Sequence, residues 1–231
     1  MNMSTCNLNR RKYNERIKRK VNTRKIKTCN WLLVTEGEKT EPYYFEDVIR
    51  HYNSQLENKI NIKIEGAGRN TKSLVMHAEE FVNSVDKYNR EDIYYSKIFV
   101  VFDKDDFKND EFDNAIKMCI SRGYIPLWSN ESFELWFLLH FNYLDSSISR
   151  EECIKKINEC FKASGINIKY QKNDKDIFNK LLKYGSLENA RKNSKKLHSN
   201  MIENKSTPSN ASCTTVYKFF DELDIVINEL K

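Results

Sequence analysis

Lys97-Ile98-Phe99-Val100-Val101-Phe102, followed at once by Asp103-Lys104-Asp105-Asp106, is the stretch that decides the fold. An unbroken apolar run of this length reads as a strand covered on both faces, as in parallel sheets. It stops on acid. Towards the N-terminus, Cys29-Asn30-Trp31-Leu32-Leu33-Val34-Thr35 repeats the pattern and stops at Glu36-Gly37. Between these two runs, Ile60, Ile62 and Ile64 alternate with polar residues before Gly66-Ala67-Gly68, which predicts a further strand. Helical spacing fills the gaps. Phe45, Val48, Ile49 and Tyr52 recur after Pro42, and Leu74, Ala78, Phe81, Val82 and Val85 share one face after the glycines. Towards the C-terminus, Phe112, Ala115, Ile116, Cys119 and Ile120 make a helix closed by Gly123, and Tyr124 to Trp128 makes a fourth strand. Strand–helix alternation over residues 29–128 predicts an α/β protein with a mainly parallel sheet flanked by helices.

Beyond this alternation, residues 133–141 are apolar nearly all round and read as a buried helix. From about Asp145 the chain turns helical and more polar. Ser149 and Glu152 form a capping box ahead of Ile154, Ile157 and Phe161. Helices are expected at 176–184 and 187–203, a loop at 206–212, and a last amphipathic helix from Thr214 to Leu230. The organisation is therefore an arm at 1–27, an α/β core at 28–144, and a C-terminal helical region at 145–231 packed on that core.

Charge separates the arm from the rest. The 231 residues hold 39 Lys and Arg against 33 Asp and Glu, a net charge of +6. Residues 1–28 contribute ten basic residues and one acid, so the remainder is mildly acidic. Arg10, Arg11, Lys18, Arg19, Lys20, Arg24 and Lys25 thus mark an arm expected to be disordered in isolation and suited to nucleic-acid phosphates. A merely solubilising tail is the alternative. No apolar run is long enough to span a bilayer, and none follows the basic N-terminus as a secretory signal would. The six scattered cysteines include no C-x-x-C pair and read as free thiols in a reducing cytoplasm.

In an open parallel sheet, ligands bind beyond the carboxyl ends of the strands. Here two strands end on acid, one at Glu36 with Glu38 and Glu41 behind it, the other at Asp103, Asp105 and Asp106. If those strands are neighbours, their ends lie about 5 Å apart, and the carboxylates need a counter-charge. Mg²⁺ or Mn²⁺, hard cations that favour oxygen ligands, would supply it and serve phosphoryl chemistry. The alternative reading makes Thr40 and Glu41 caps for the helix beginning at Pro42. Glu134, in an apolar segment, is either a third acidic ligand or half of a buried ion pair. His140 reads more naturally as a core histidine than as a catalytic one, while Tyr170, Lys172 and Arg191 are either phosphate contacts or ordinary exposed residues. The chain has no P-loop, dinucleotide fingerprint or zinc motif.

Taken together, Thr35-Glu-Gly-Glu-Lys-Thr-Glu-Pro-Tyr-Tyr-Phe45, Val101-Phe-Asp-Lys-Asp-Asp106, Ser129-Asn-x-x-Phe-Glu-x-Trp136 and Leu139-His-Phe141 resemble the RloB-like proteins in order and spacing. Tyr170-x-Lys172 and Ser206-x-Pro208…Thr214-x-Val216 extend the likeness, which runs from about Lys25 to the end. That family is related to Toprim domains, so the resemblance implies a Toprim-like core. It aligns Glu36 with the Toprim acid after the first strand, Asp103 and Asp105 with its Asp-x-Asp pair, and Glu134 with a downstream acid of related nucleases. It departs at Thr40, where the overcoming-lysogeny motif has its second acid; here the next acid is Glu41. RloB-like genes often accompany an RloA-type ATPase, and some effectors of similar defence pairs cut tRNA.

The expectation is thus a cytoplasmic, Mg²⁺- or Mn²⁺-dependent nuclease of anti-phage defence, acting on RNA or DNA beside an RloA-type ATPase. Glu36, Asp103 and Asp105 are the expected metal ligands and, with Glu134, the catalytic set; Glu38, Glu41, Asp106, His140 and Lys172 are accessory candidates. A non-catalytic subunit that binds nucleic acid or the ATPase is the alternative, and a phosphotransferase on a small nucleotide is a third reading. A homodimer is left open.

Overall fold

The computed structural model describes residues 29–56, 59–68, 71–88, 95–105, 107–165 and 167–230. The arm, with Arg10, Arg11, Lys18, Arg19, Lys20, Arg24 and Lys25, lies outside these residues, as does Asp106.

Among the described residues five strands form one sheet: β1 (Cys29–Thr35), β2 (Ile60–Gly66), β3 (Lys97–Asp103), β4 (Ile125–Asn130) and β5 (Cys213–Thr214). Their order is β2-β1-β3-β4-β5; the first four run parallel, and β5 is antiparallel to β4. The fold is α/β and consistent with a Toprim-like architecture. The two acid-terminated strands are neighbours, with Leu33 paired to Phe99 and Thr35 to Val101. A hydrogen bond from Glu36 N to Val101 O, 2.9 Å, carries that pairing one residue further.

Among the described residues eight α-helices flank the sheet: α1 (Thr40–Gln55), α2 (Thr71–Tyr88), α3 (Asn109–Ser121), α4 (Glu134–Leu138), α5 (Arg150–Ala163), α6 (Ile177–Tyr184), α7 (Leu187–Glu203) and α8 (Tyr217–Leu230). Strand residues alternate between faces, and the aromatic contacts follow that period. Trp31 and Phe99 pack on Phe219 of α8, whereas Phe102 packs on Phe112 of α3 on the opposite face. Tyr44 and Phe45 of α1 meet Phe133, and the Trp136 indole N–H donates to the Tyr44 hydroxyl at 2.7 Å. A single apolar core runs from Trp31 to Leu223, so the C-terminal helices share it with the sheet. No helix among the described residues is long and apolar enough to cross a membrane.

Three expectations are corrected in detail. The helix expected over 133–141 is α-helical only at Glu134–Leu138, and His140 N and Phe141 N close tighter turns onto Phe137 O and Leu138 O. The fourth strand starts at Ile125 and extends to Asn130. The last helix begins at Tyr217, because Cys213–Thr214 is taken up as β5. Its pairing is held further by Thr215, whose backbone N–H donates to Trp128 O at 2.9 Å and whose hydroxyl accepts from Trp128 N at 3.0 Å.

Candidate functional site

The carboxyl ends of β1 and β3 open into a pocket of about 350 Å³ lined by Glu36, Glu38, Glu41, Asp103, Asp105, Glu134, Arg150 and Lys172, among others. Each carboxylate arrives by a different route. Glu36 follows β1 directly, and its Oε2 accepts from Asp103 N at 3.3 Å, tying the two strand ends together. Asp103 is the last residue of β3 and is 6% exposed. Asp105 sits two residues on with φ 38°, a left-handed conformation that Asp tolerates better than most non-glycine residues, and its N–H donates to Glu131 O at 3.0 Å.

Glu41 stands in the first turn of α1, and no side chain caps that helix, so neither it nor Thr40 acts as the cap. Thr40 instead donates to Lys172 O at 2.7 Å, which fixes the segment carrying Lys172 against α1. Gly37 makes room for Glu41: a Cβ there would meet Glu41 Oε2 at 2.1 Å. At Gly68, with φ +56°, a Cβ would meet Glu38 Oε1 at 2.6 Å. The glycines after β1 and β2 thus let two glutamate side chains lie close over the backbone.

Glu134 opens α4 and is 2% exposed. Its Oε1 accepts from the Tyr170 hydroxyl at 3.1 Å, and its Oε2 lies 3.6 Å from Arg150 Nε, an ion pair too long for a hydrogen bond. Arg150 does more than pair with Glu134. Its Nη2 stands 3.3 Å from Asp103 Oδ2 and 3.0 Å from Asp105 Oδ2, so one guanidinium faces three carboxylates. Sequence reasoning placed some Lys or Arg near Glu134 without identifying it. A signal was present: Arg150 is the first residue of α5, where the helix dipole disfavours a cation.

Even with Arg150 in place, negative charge is under-compensated. Burial pushes the Glu36 carboxyl up to about 7, opposed by the hydrogen bond from Asp103 N and reinforced by Glu41 and Asp105. Burial also raises Asp103 well above the carboxylate range, with Glu41 and Glu134 adding to it. Glu41 is raised by burial and then by Glu134. Asp103 Oδ1, buried in the pocket wall, has no hydrogen-bond partner. Among the described residues, no three His, Cys, Asp or Glu side chains stand close enough together to hold a metal as they are. The donor set nevertheless suits a hard divalent cation: it is all oxygen, short of positive charge, and includes a buried acceptor whose carboxylate is helped, beyond Arg150, only by the backbone N–H of Phe133.

His140 is not in the pocket. It is 1% exposed, its Nδ1 lies 3.0 Å from Trp136 O, and burial holds its imidazole down at about 4. It is a neutral core histidine. Arg191, a candidate phosphate contact in the sequence, is engaged by Asp221 and Asp224 at 2.8 and 2.5 Å, which corrects that reading.

The comparisons agree with the motifs that surround this pocket. A family model described as RloB-like protein matches residues 31–223, from the middle of β1 to the middle of α8. No curated protein and no solved structure matches the chain.

Proposed function

The chain belongs to the RloB-like family, and from that premise we propose that it is a divalent-metal-dependent nuclease with its active site in the pocket at the ends of β1 and β3. One observation carries the reading. Carboxylates from β1, the β3 end, α1 and α4 converge on a single pocket in which Asp103 Oδ1 is buried without a partner. Glu36, Asp103 and Asp105 would hold Mg²⁺ or Mn²⁺, with Glu41 and Glu134 beside them. Such an ion, when bound, supplies Lewis-acid stabilisation of a phosphoryl group and favours ionisation of an attacking water.

The chain's own residues do the rest. Asp103 and Asp105 share a short acidic segment whose turn is set by the Asp105–Glu131 backbone bond. Glu36 is locked to that segment through Asp103 N. In the metal-free protein the Glu36 carboxyl is pushed up to about 7, and an entering cation would favour its ionised, ligating form. Lys172 and Lys39 line the same pocket and supply positive charge for a phosphodiester backbone.

By the family's association with RloA-type ATPases, the reaction belongs to phage defence and is restrained or delivered by such a partner. The test is incubation of the purified full-length protein with tRNA, single-stranded DNA and duplex DNA in Mg²⁺, Mn²⁺ or EDTA. Cleavage of one substrate that EDTA abolishes is expected; turnover unaffected by EDTA would remove the metal-dependent reading.

A second reading has an observation in its favour. Arg150 already supplies a counter-charge to Asp103, Asp105 and Glu134, as it would in a non-catalytic subunit that binds nucleic acid or the ATPase. Intact binding of nucleic acid with no cleavage, in the presence of the ATPase, would favour it.

A further inference from the structure

Arg150 occupies the space that a metal reading of this pocket needs. Its Nη2 stands within 3.3 Å of one oxygen on each of Asp103 and Asp105, and its Nε faces Glu134. A divalent ion bound through those same oxygens would sit within a few ångströms of the guanidinium. Two cations at that separation repel strongly in a partly desolvated site. The carboxylates therefore do not serve both fully at once.

Two features make exchange feasible. The backbone of Arg150 is fixed from behind by the Ser149–Glu152 capping box, in which Ser149 Oγ accepts from Glu152 N and Glu152 Oε2 accepts from Ser149 N. Its side chain is 21% exposed at the pocket wall, so the guanidinium is able to swing towards solvent without unwinding α5. Meanwhile Asp103 Oδ1 stays buried and unpartnered even with Arg150 in place, leaving an acceptor that the guanidinium does not reach.

We propose that Arg150 is a positioning residue: the resident counter-ion that holds Asp103, Asp105 and Glu134 together in the metal-free protein and yields these carboxylates to an entering divalent cation. The inference rests on the metal-site reading above. It makes Arg150 and the metal antagonists, linked reciprocally.

The experiment is calorimetric titration of Mn²⁺ into the full-length chain, Arg150→Lys and Arg150→Gln at pH 7.5, with the melting temperature of each measured with and without Mn²⁺. Removing the cation is expected to tighten Mn²⁺ binding about tenfold or more in Arg150→Gln. Arg150→Lys, which keeps a charge but loses the planar fork, should fall between the two. Mn²⁺ should raise the melting temperature most in Arg150→Gln, which begins least stable. If Arg150→Gln does not fold without metal, the wild-type and Arg150→Lys affinities alone give the answer. Equal or weaker Mn²⁺ binding in the variants overturns the exchange while leaving the metal site standing. Absence of Mn²⁺ binding in wild type and variants alike overturns both.

Discussion

At Glu36, burial holds the folded-state carboxyl at about 7, whereas the ordinary value is 4.5. Between those pH values the metal-free folded protein binds more protons than the unfolded chain, so its stability falls as pH rises through the window. Asp103 and Glu41, also raised by burial, act in the same direction. Glu36→Gln removes one such linkage. In EDTA the variant should match the wild type near pH 4.5 and exceed it by roughly 1–2 kcal/mol at pH 7.5, allowing for partial exposure. Urea unfolding across that range reads the difference; a wild type that gains on the variant as pH rises would contradict the burial account. Among single residues, Glu36 and Asp103 were legible because each ends an apolar strand. Arg150 was marked only as a cation opening a helix; its pairing with Glu134 was not legible, since a sixteen-residue separation carries no periodic signal and only the topology brings α5 against α4.

α5 shows how an element aims a functional side chain. Ser149 and Glu152 cap its N-terminus reciprocally, as the S-x-x-E spacing foretold. Ser149→Ala should lower the stability of the whole chain by about 1 kcal/mol in urea unfolding. An unchanged midpoint would mean that the box does not hold the helix that presents Arg150. Legibility varied with element length and pattern. β1 and β3 were readable almost to the residue from their continuous apolar runs, and α3 from its periodic face. β5 was not, because two residues contain no period and Cys213–Thr214 is a strand only by its pairing with Ser129 and Asn130. α4 was read too long for the opposite reason: its neighbours are apolar and buried, but their backbones turn rather than continue the helix.

Over the whole molecule, the parallel order β2-β1-β3-β4 sets Glu36 beside Asp103, while the C-terminal helices, sharing one core with the sheet, bring Arg150 and Tyr170 to the same place. The site is therefore assembled from segments far apart in the chain, and the residues lining one pocket are drawn from between Glu36 and Asn173. Glu36 and Asp103 were foreseeable from strand ends; the contacts of Arg150 and Tyr170 with Glu134 came only with the packing. That assembly gives the central claim, catalysis through the carboxylates at the β1 and β3 ends, a direct test in the protein's proposed setting. Phage protection should be measured in cells carrying an RloA-type ATPase together with either the wild-type chain or a Glu36→Gln, Asp103→Asn double variant at equal protein level. Both substitutions keep side-chain shape and remove ligand charge, so the cleavage rate should fall by about a thousandfold or more and protection should drop to the level of cells lacking the protein. Full protection by the stably expressed double variant would contradict the account and leave the binding-subunit reading in its place.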